Sequence, residues 1–150
     1  MNLVDHTVLL VEDDDNDVLF MERAFDQANL QNPIQVIPDG DRAVDYLSGV
    51  GLYGDRDRYP LPVLILLDLK LPRRSGLEVL EWLQSQPGLR RLPVVVLTTS
   101  SENSDINRAY DLGANSYLVK PVAPDNLLNL VRTLNLYWLI LNVKPEIDDK

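Results

Sequence analysis

Short unbroken apolar runs alternate along this chain with longer stretches in which apolar residues recur every three or four positions. The most uniform run, Pro62-Val-Leu-Ile-Leu-Leu-Asp68-Leu-Lys-Leu-Pro72, is bounded by prolines and ends in one carboxylate. So short a run, without polar alternation, predicts a strand buried on both faces of a parallel sheet. Residues 7–11, 34–37, 93–98 and 116–120 predict four more strands. Between them, Val18, Met21, Ala24, Phe25 and Ala28 recur at helical spacing, predicting a helix over 17–28 with Asp15 or Asn16 as its cap. Further helices are predicted over 40–47, 76–86, 103–112 and from Pro124 to about residue 142. Pro87-Gly88 stops the third of the five helices, and Gly113 is placed as a left-handed cap after the fourth.

This alternation predicts an α/β fold with a doubly wound parallel sheet, because right-handed crossovers put helices on both faces. The chain reads as a single domain over 1–150, with a core at about 7–134 and a C-terminal extension over 135–150 that lengthens the last helix. The connection 48–61, with three glycines and Asp55-Arg-Asp-Arg58, predicts a surface loop of unusual length. On the last helix, Leu127, Val131, Leu134, Trp138 and Leu141 form one stripe, yet Leu130, Leu136, Tyr137, Leu139 and Ile140 point elsewhere. Apolar residues all round imply burial on both sides, so a homodimer is expected here, through Leu130, Leu134, Tyr137 and Trp138.

Composition narrows the function. The chain has no cysteine, which removes disulfides, thiolate metal sites and thiol nucleophiles and suits a reducing compartment. No segment is long and apolar enough to predict a membrane span, and the N-terminus lacks a signal-peptide pattern, so a soluble cytoplasmic protein is expected. Fourteen basic against 23 acidic residues give a net charge of −9, which argues against nucleic-acid binding.

Polar residues stand where the predicted strands end. The first delivers Glu12 and Asp13, the third Asp68, the fourth Thr98 and the fifth Lys120. In an open α/β sheet these carboxyl ends line the ligand crevice. Carboxylates crowded there call for a hard divalent cation such as Mg²⁺. A lysine and a hydroxyl beside them suit phosphoryl transfer, with Asp68 as the nucleophile that becomes an aspartyl phosphate.

The motifs Val-Glu12-Asp13-Asp, Leu-Leu-Asp68-Leu-Lys-Leu-Pro72-Arg-Arg-Ser-Gly76, Leu-Thr98 and Tyr117-Leu-Val-Lys120-Pro121 resemble the response-regulator receiver domains of two-component signalling, over about residues 7–134. The spacings match too, at 98 − 68 = 30 and 120 − 98 = 22 residues. The resemblance implies a flavodoxin-like sheet of order 2-1-3-4-5 and phosphorylation of Asp68 by a histidine kinase. It implies Mg²⁺ bound directly by Asp13 and through water by Glu12, with Asp68 and the backbone carbonyl of Lys70 also in the metal site. Thr98 and Lys120 would hold the phosphoryl oxygens, Tyr117 would follow the Thr98 hydroxyl as a switch, and Lys120-Pro121 would be a cis peptide. Thr99 stands where family members usually carry a small residue. The Tyr137-Trp-Leu139 extension and the long connection resemble the stand-alone response regulators that partner phytochrome-type kinases.

Other readings remain at this point. An acidic run such as 12–17 is ordinarily a solvated face, and a calcium loop fails because Val18 and Ala24 occupy its glycine and glutamate positions. A small aspartate-nucleophile phosphatase would use Asp13 with Asp15, and a flavodoxin-like adaptor would need no phosphorylation at all. His6, Arg73-Arg74 and Arg90-Arg91 read as surface and turn residues.

Overall fold

The computed structural model describes residues 6–120, 123–134, 145 and 147. Five strands form one parallel sheet: β1 (Val8–Val11), β2 (Ile34–Ile37), β3 (Leu64–Leu67), β4 (Val94–Thr98) and β5 (Ser116–Val119), in the order β2-β1-β3-β4-β5. Helices α1 (Asp15–Gln27), α2 (Gly40–Ser48), α3 (Gly76–Gln84), α4 (Asn103–Asp111) and α5 (Pro124–Leu134) alternate with them. The predicted doubly wound fold is observed.

Every residue of β1, β3 and β4 is buried, as their uniform apolar runs require. Alternate residues serve opposite faces. Leu9, Val11, Ile65, Leu67, Val94 and Val96 pack with residues of α2, α3 and α4, whereas Val8, Leu10, Leu64, Leu66, Val95 and Leu97 pack with α1 and α5. β2 and β5 are the sheet edges and carry partly exposed residues. The chain order reverses between β1 and β3, and this switch point opens the crevice at the carboxyl ends.

Two expectations need correction, the start of α1 and the place of Leu134. α1 begins at Asp15, two residues early, because Asp14 and neither Asp15 nor Asn16 is the cap: its carboxylate accepts from the amides of Asn16 (2.8 Å) and Asp17 (3.2 Å). The 48–61 connection is the expected surface loop, with Val50 and Leu52 exposed, and it is tied to the fold at a few points. A 3-10 turn spans Gly51–Gly54, and Arg56 donates to the carbonyls of Tyr46 (2.7 Å) and Leu47 (3.0 Å), satisfying the open end of α2. Tyr46, Tyr53 and Tyr59 form a ring cluster with centroids 5.1–6.1 Å apart, and the Tyr46 hydroxyl donates to Pro60. Leu134, expected both on the stripe over the sheet and at a dimer surface, is buried in the α1/α5 core and presents nothing outward. Leu130 is half-buried against the same core. Pro121, Leu136, Tyr137, Trp138, Leu139, Ile140 and Leu141 lie outside the described residues.

Candidate functional site: an acid cluster with one lysine

The sheet's hydrogen bonding continues one residue past β1, β3 and β5 and so fixes the site. The Glu12 amide donates to Ile37 (3.0 Å), that of Asp68 to Val11 (3.0 Å) and that of Lys120 to Thr98 (2.7 Å). These side chains therefore leave an ordered backbone. Gly76 tightens the turn after Asp68, its amide donating to Leu69 (2.9 Å), and a Cβ there would stand 2.2 Å from the Asp68 carbonyl oxygen. Only a glycine fits without moving the segment that carries the carboxylate. Gly40 plays the same part at the start of α2, where a Cβ would meet the Arg74 carbonyl at 1.8 Å.

Glu12, Asp13 and Asp68 each offer a carboxylate oxygen, all within 4.8 Å of one another. Glu12 and Asp68 are buried and Asp13 is exposed. Asp15, which a phosphatase reading needs beside Asp13, is exposed on α1 and is not part of this cluster. The Lys120 ammonium reaches Glu12 Oε1, Asp17 Oδ2 (2.8 Å) and Asp68 Oδ2 (3.1 Å). Asp68 Oδ1 accepts from the Lys70 amide at 3.0 Å. The Thr98 hydroxyl is completely buried and has no partner of acceptable hydrogen-bond geometry, although it lies near enough to Asp68 to favour its ionised form.

The two buried carboxyls are driven apart. Burial pushes Glu12 up to about 7 against the pull of Lys120. Burial opposes ionisation of Asp68 too, but the Lys70 amide, Thr98 and Lys120 together outweigh it and hold Asp68 below the ordinary carboxylate range. Lys120 is itself desolvated, yet its bonds to Asp17 and Glu12 raise it above the usual lysine value. Asp68 is thus an ionised, buried carboxylate, and the donor set around it is all oxygen. Such a set fits a hard cation, Mg²⁺ or Mn²⁺.

The structure therefore brings together Glu12, Asp13, Asp68, Thr98 and Lys120. Lys70 follows Asp68 directly, with its side chain exposed. Tyr117 is half-buried, and its hydroxyl donates to the Ser100 carbonyl at 2.9 Å, two residues beyond Thr98. Three contributors escaped sequence reasoning. Asp17 binds Lys120; buried Ser100 donates to Asp105 at 2.5 Å; and Ser75 forms a capping box with Glu78 at the start of α3. Only the last has a local sequence signal, Ser-x-x-Glu.

Residues 8–132 match the family model described as the response regulator receiver domain. The chain is 41% identical over 138 residues to the probable methanogenesis regulatory protein FilR2 of Methanothrix harundinacea, covering 92% of this chain and 86% of that protein. It is 36% identical over 132 residues to response regulator Rcp1 of Synechocystis sp., covering 88% of each. The Mn(2+)-bound structure of Rcp1 superposes with a TM-score of 0.82 at 35% identity, over 94% of this chain and 99% of that one. The phosphorylated cyanobacterial phytochrome response regulator RcpA gives 0.84, also at 35% identity and the same coverage. With the acid cluster, the lysine and the sheet order in place, this match over most of its length makes the chain a member of the response-regulator receiver family, related to phytochrome response regulators.

Proposed function

We propose that this protein is a stand-alone response regulator that accepts a phosphoryl group from a histidine kinase onto Asp68 and signals through altered protein contacts. The observation that carries this reading is an ionised Asp68 carboxylate set between the Lys70 amide, the Lys120 ammonium and a buried, unpaired Thr98 hydroxyl. Glu12, Asp13, Asp68 and the Lys70 carbonyl would hold Mg²⁺. When bound, the cation supplies positive charge against the carboxylates and the incoming phosphoryl oxygens.

Asp68 attacks the phosphorus of a phosphohistidine. The new P–O bond forms as the P–N bond breaks, and the imidazole nitrogen keeps the electron pair and takes up a proton. Lys120 gives the phosphoryl oxygens a charge-assisted hydrogen bond, and the Thr98 hydroxyl gains the partner it lacks. As that hydroxyl turns, Tyr117 exchanges its bond to Ser100 for the space released. Hydrolysis of the acyl phosphate returns the carboxylate and inorganic phosphate, so the chain catalyses only its own phosphorylation cycle.

Similarity to Rcp1 and RcpA supports a phytochrome-type kinase, whereas FilR2 carries a name from a different process, so transfer profiling against purified kinases decides between sensors. Among the described residues no helix is long and apolar enough to cross a membrane. With the absence of cysteine and the net charge of −9, this supports a cytoplasmic protein that does not contact nucleic acid. A homodimer through the α5 region remains part of the proposal.

Incubation with acetyl phosphate and Mg²⁺ is expected to add one phosphoryl mass to the intact protein and none to Asp68→Ala. Equal labelling of the variant would remove Asp68 from its assigned role.

A further inference from the structure

An ammonium group has three N–H donors, and those of Lys120 meet three carboxylates. Two of these have other tasks in the function proposed above, Glu12 toward the metal and Asp68 toward the phosphoryl group. Asp17 has none. Its carboxylate is outside the Glu12, Asp13 and Asp68 cluster, it is about one-third exposed, and its only side-chain partner among the described residues is Lys120. The bond from its amide to the Asp14 cap seats it in the first turn of α1, facing the end of β5. A cavity of about 90 Å³ adjoins Lys120, lined also by Leu10, Glu12, Asp17, Phe20 and Leu97 among others. Packing alone therefore leaves the ammonium room to swing away from Asp68.

We infer that Asp17 is a positioning residue that acts through Lys120, holding the ammonium so that one N–H stays aimed at Asp68 and at the phosphoryl oxygens that arrive there. The inference rests on Asp68 as the phosphoacceptor. It also explains how Lys120 stays in place although Glu12 is claimed by the metal: Asp17 is the one partner of the lysine that no other step uses.

A carboxylate near an anion site has a second, opposite effect, since its charge repels the phosphoryl group. The two effects differ in sign. If Asp17 only added negative charge, its removal would tighten binding of a phosphoryl mimic; if it positions Lys120, removal weakens binding. The experiment titrates beryllium fluoride calorimetrically into the protein at saturating Mg²⁺. Asp17→Ala is expected to weaken binding roughly tenfold, the size of one degraded charge-assisted hydrogen bond, and Asp17→Asn to fall between it and wild type. Asp15→Asn, which removes an exposed charge from the same helical turn, stays within about twofold of wild type.

A second readout is side-chain order at Lys120, from ¹³Cε relaxation in the metal-free proteins. Wild-type Lys120 is expected to be rigid, and Lys120 in both Asp17 variants mobile, with melting of the domain otherwise retained. Unchanged or tighter binding in a folded Asp17 variant overturns the inference, as does a Lys120 that stays rigid without Asp17. Failure of the wild type to bind the mimic would instead overturn Asp68 as phosphoacceptor, while the relaxation measurement still decides what holds Lys120.

Discussion

Among single residues, Glu12 and Asp13 contrast in a way that bears on the proposed metal site. Asp13 is exposed and able to reach a cation directly, whereas Glu12 is buried, bonded to Lys120 and accepts the Asp14 amide at 3.3 Å. Losing a direct ligand of a hard cation costs more than losing a contact through water. Asp13→Asn is therefore expected to weaken Mg²⁺ binding more than Glu12→Gln, and the reverse order in a titration would exchange their roles. Proton linkage adds a second expectation. Burial raises Glu12 from an ordinary 4.5 to about 7, so near pH 6 much of it is protonated in the metal-free protein. A cation favours the ionised form, so Mg²⁺ binding should release a proton at about pH 6 and almost none at about pH 8.5. Calorimetry in buffers of different ionisation enthalpy reads this directly. Equal proton release at both pH values would show that Glu12 is not the linked group. For folding, the raised Glu12 contributes stability that is full below 4.5 and lost as pH rises through about 7. The lowered Asp68 has the opposite sign: its contribution is present above the ordinary Asp value and lost as pH falls through its folded one.

Within elements, the turn from β3 into α3 joins stability to chemistry. The Gly76 Cα lies so close to Asp68 and Leu69 that a methyl group would stand 2.2 Å from one carbonyl and 2.6 Å from the other residue's Cα. Backbone cannot yield as a side-chain tip does. Gly76→Ala is expected to cost about 1–3 kcal/mol in urea unfolding, and to slow acetyl phosphate labelling because the displaced segment carries Asp68, the proposed phosphoacceptor. Ser75→Ala is the control. It removes the capping-box hydroxyl that accepts the Glu78 amide at 3.2 Å, for about 1 kcal/mol, but leaves the Asp68 turn untouched. Labelling should fall in the first variant only; equal labelling rates would detach Gly76 from the site.

Across the whole molecule, the candidate output surface is the edge formed by α4, β5 and α5. Tyr117 links it to the site through the Ser100 carbonyl, and Tyr110 and Val119 are exposed apolar residues upon it. Since Leu134 is buried, the described part of α5 offers a partner the half-buried Leu128 and Leu130 beside its exposed polar residues. The proposed dimer is therefore expected to draw on β5 and α4 as well as on α5. If the Tyr117 movement reshapes this edge, beryllium fluoride should change the dimer constant in sedimentation, by about 5- to 150-fold for a coupling of ~1–3 kcal/mol. Thr98→Ala should abolish the change. A dimer constant indifferent to the mimic would make any self-association constitutive.

Fold class and strand-end chemistry were legible from the sequence for one physical reason. A parallel strand buried on both faces has to be continuously apolar, so the first polar residue after Val11 and Leu67 marks the strand end and the crevice together. The distances between those marks then carried Asp68, Thr98 and Lys120. Contacts between elements were not legible in that way. Hydrophobic periodicity tells which side of a helix is buried, but not where its first turn sits over the sheet, and that placement put Asp17 on Lys120. Likewise, Arg56 and three tyrosines look like a polar loop until α2 supplies open carbonyls and an aromatic surface. Leu134 looks like surplus apolar surface until α1 packs beside α5. Patterns of period two and 3.6 are local properties of the chain, whereas pairings such as Asp17 with Lys120, 103 residues apart, arise only when helices and sheet close around a common core.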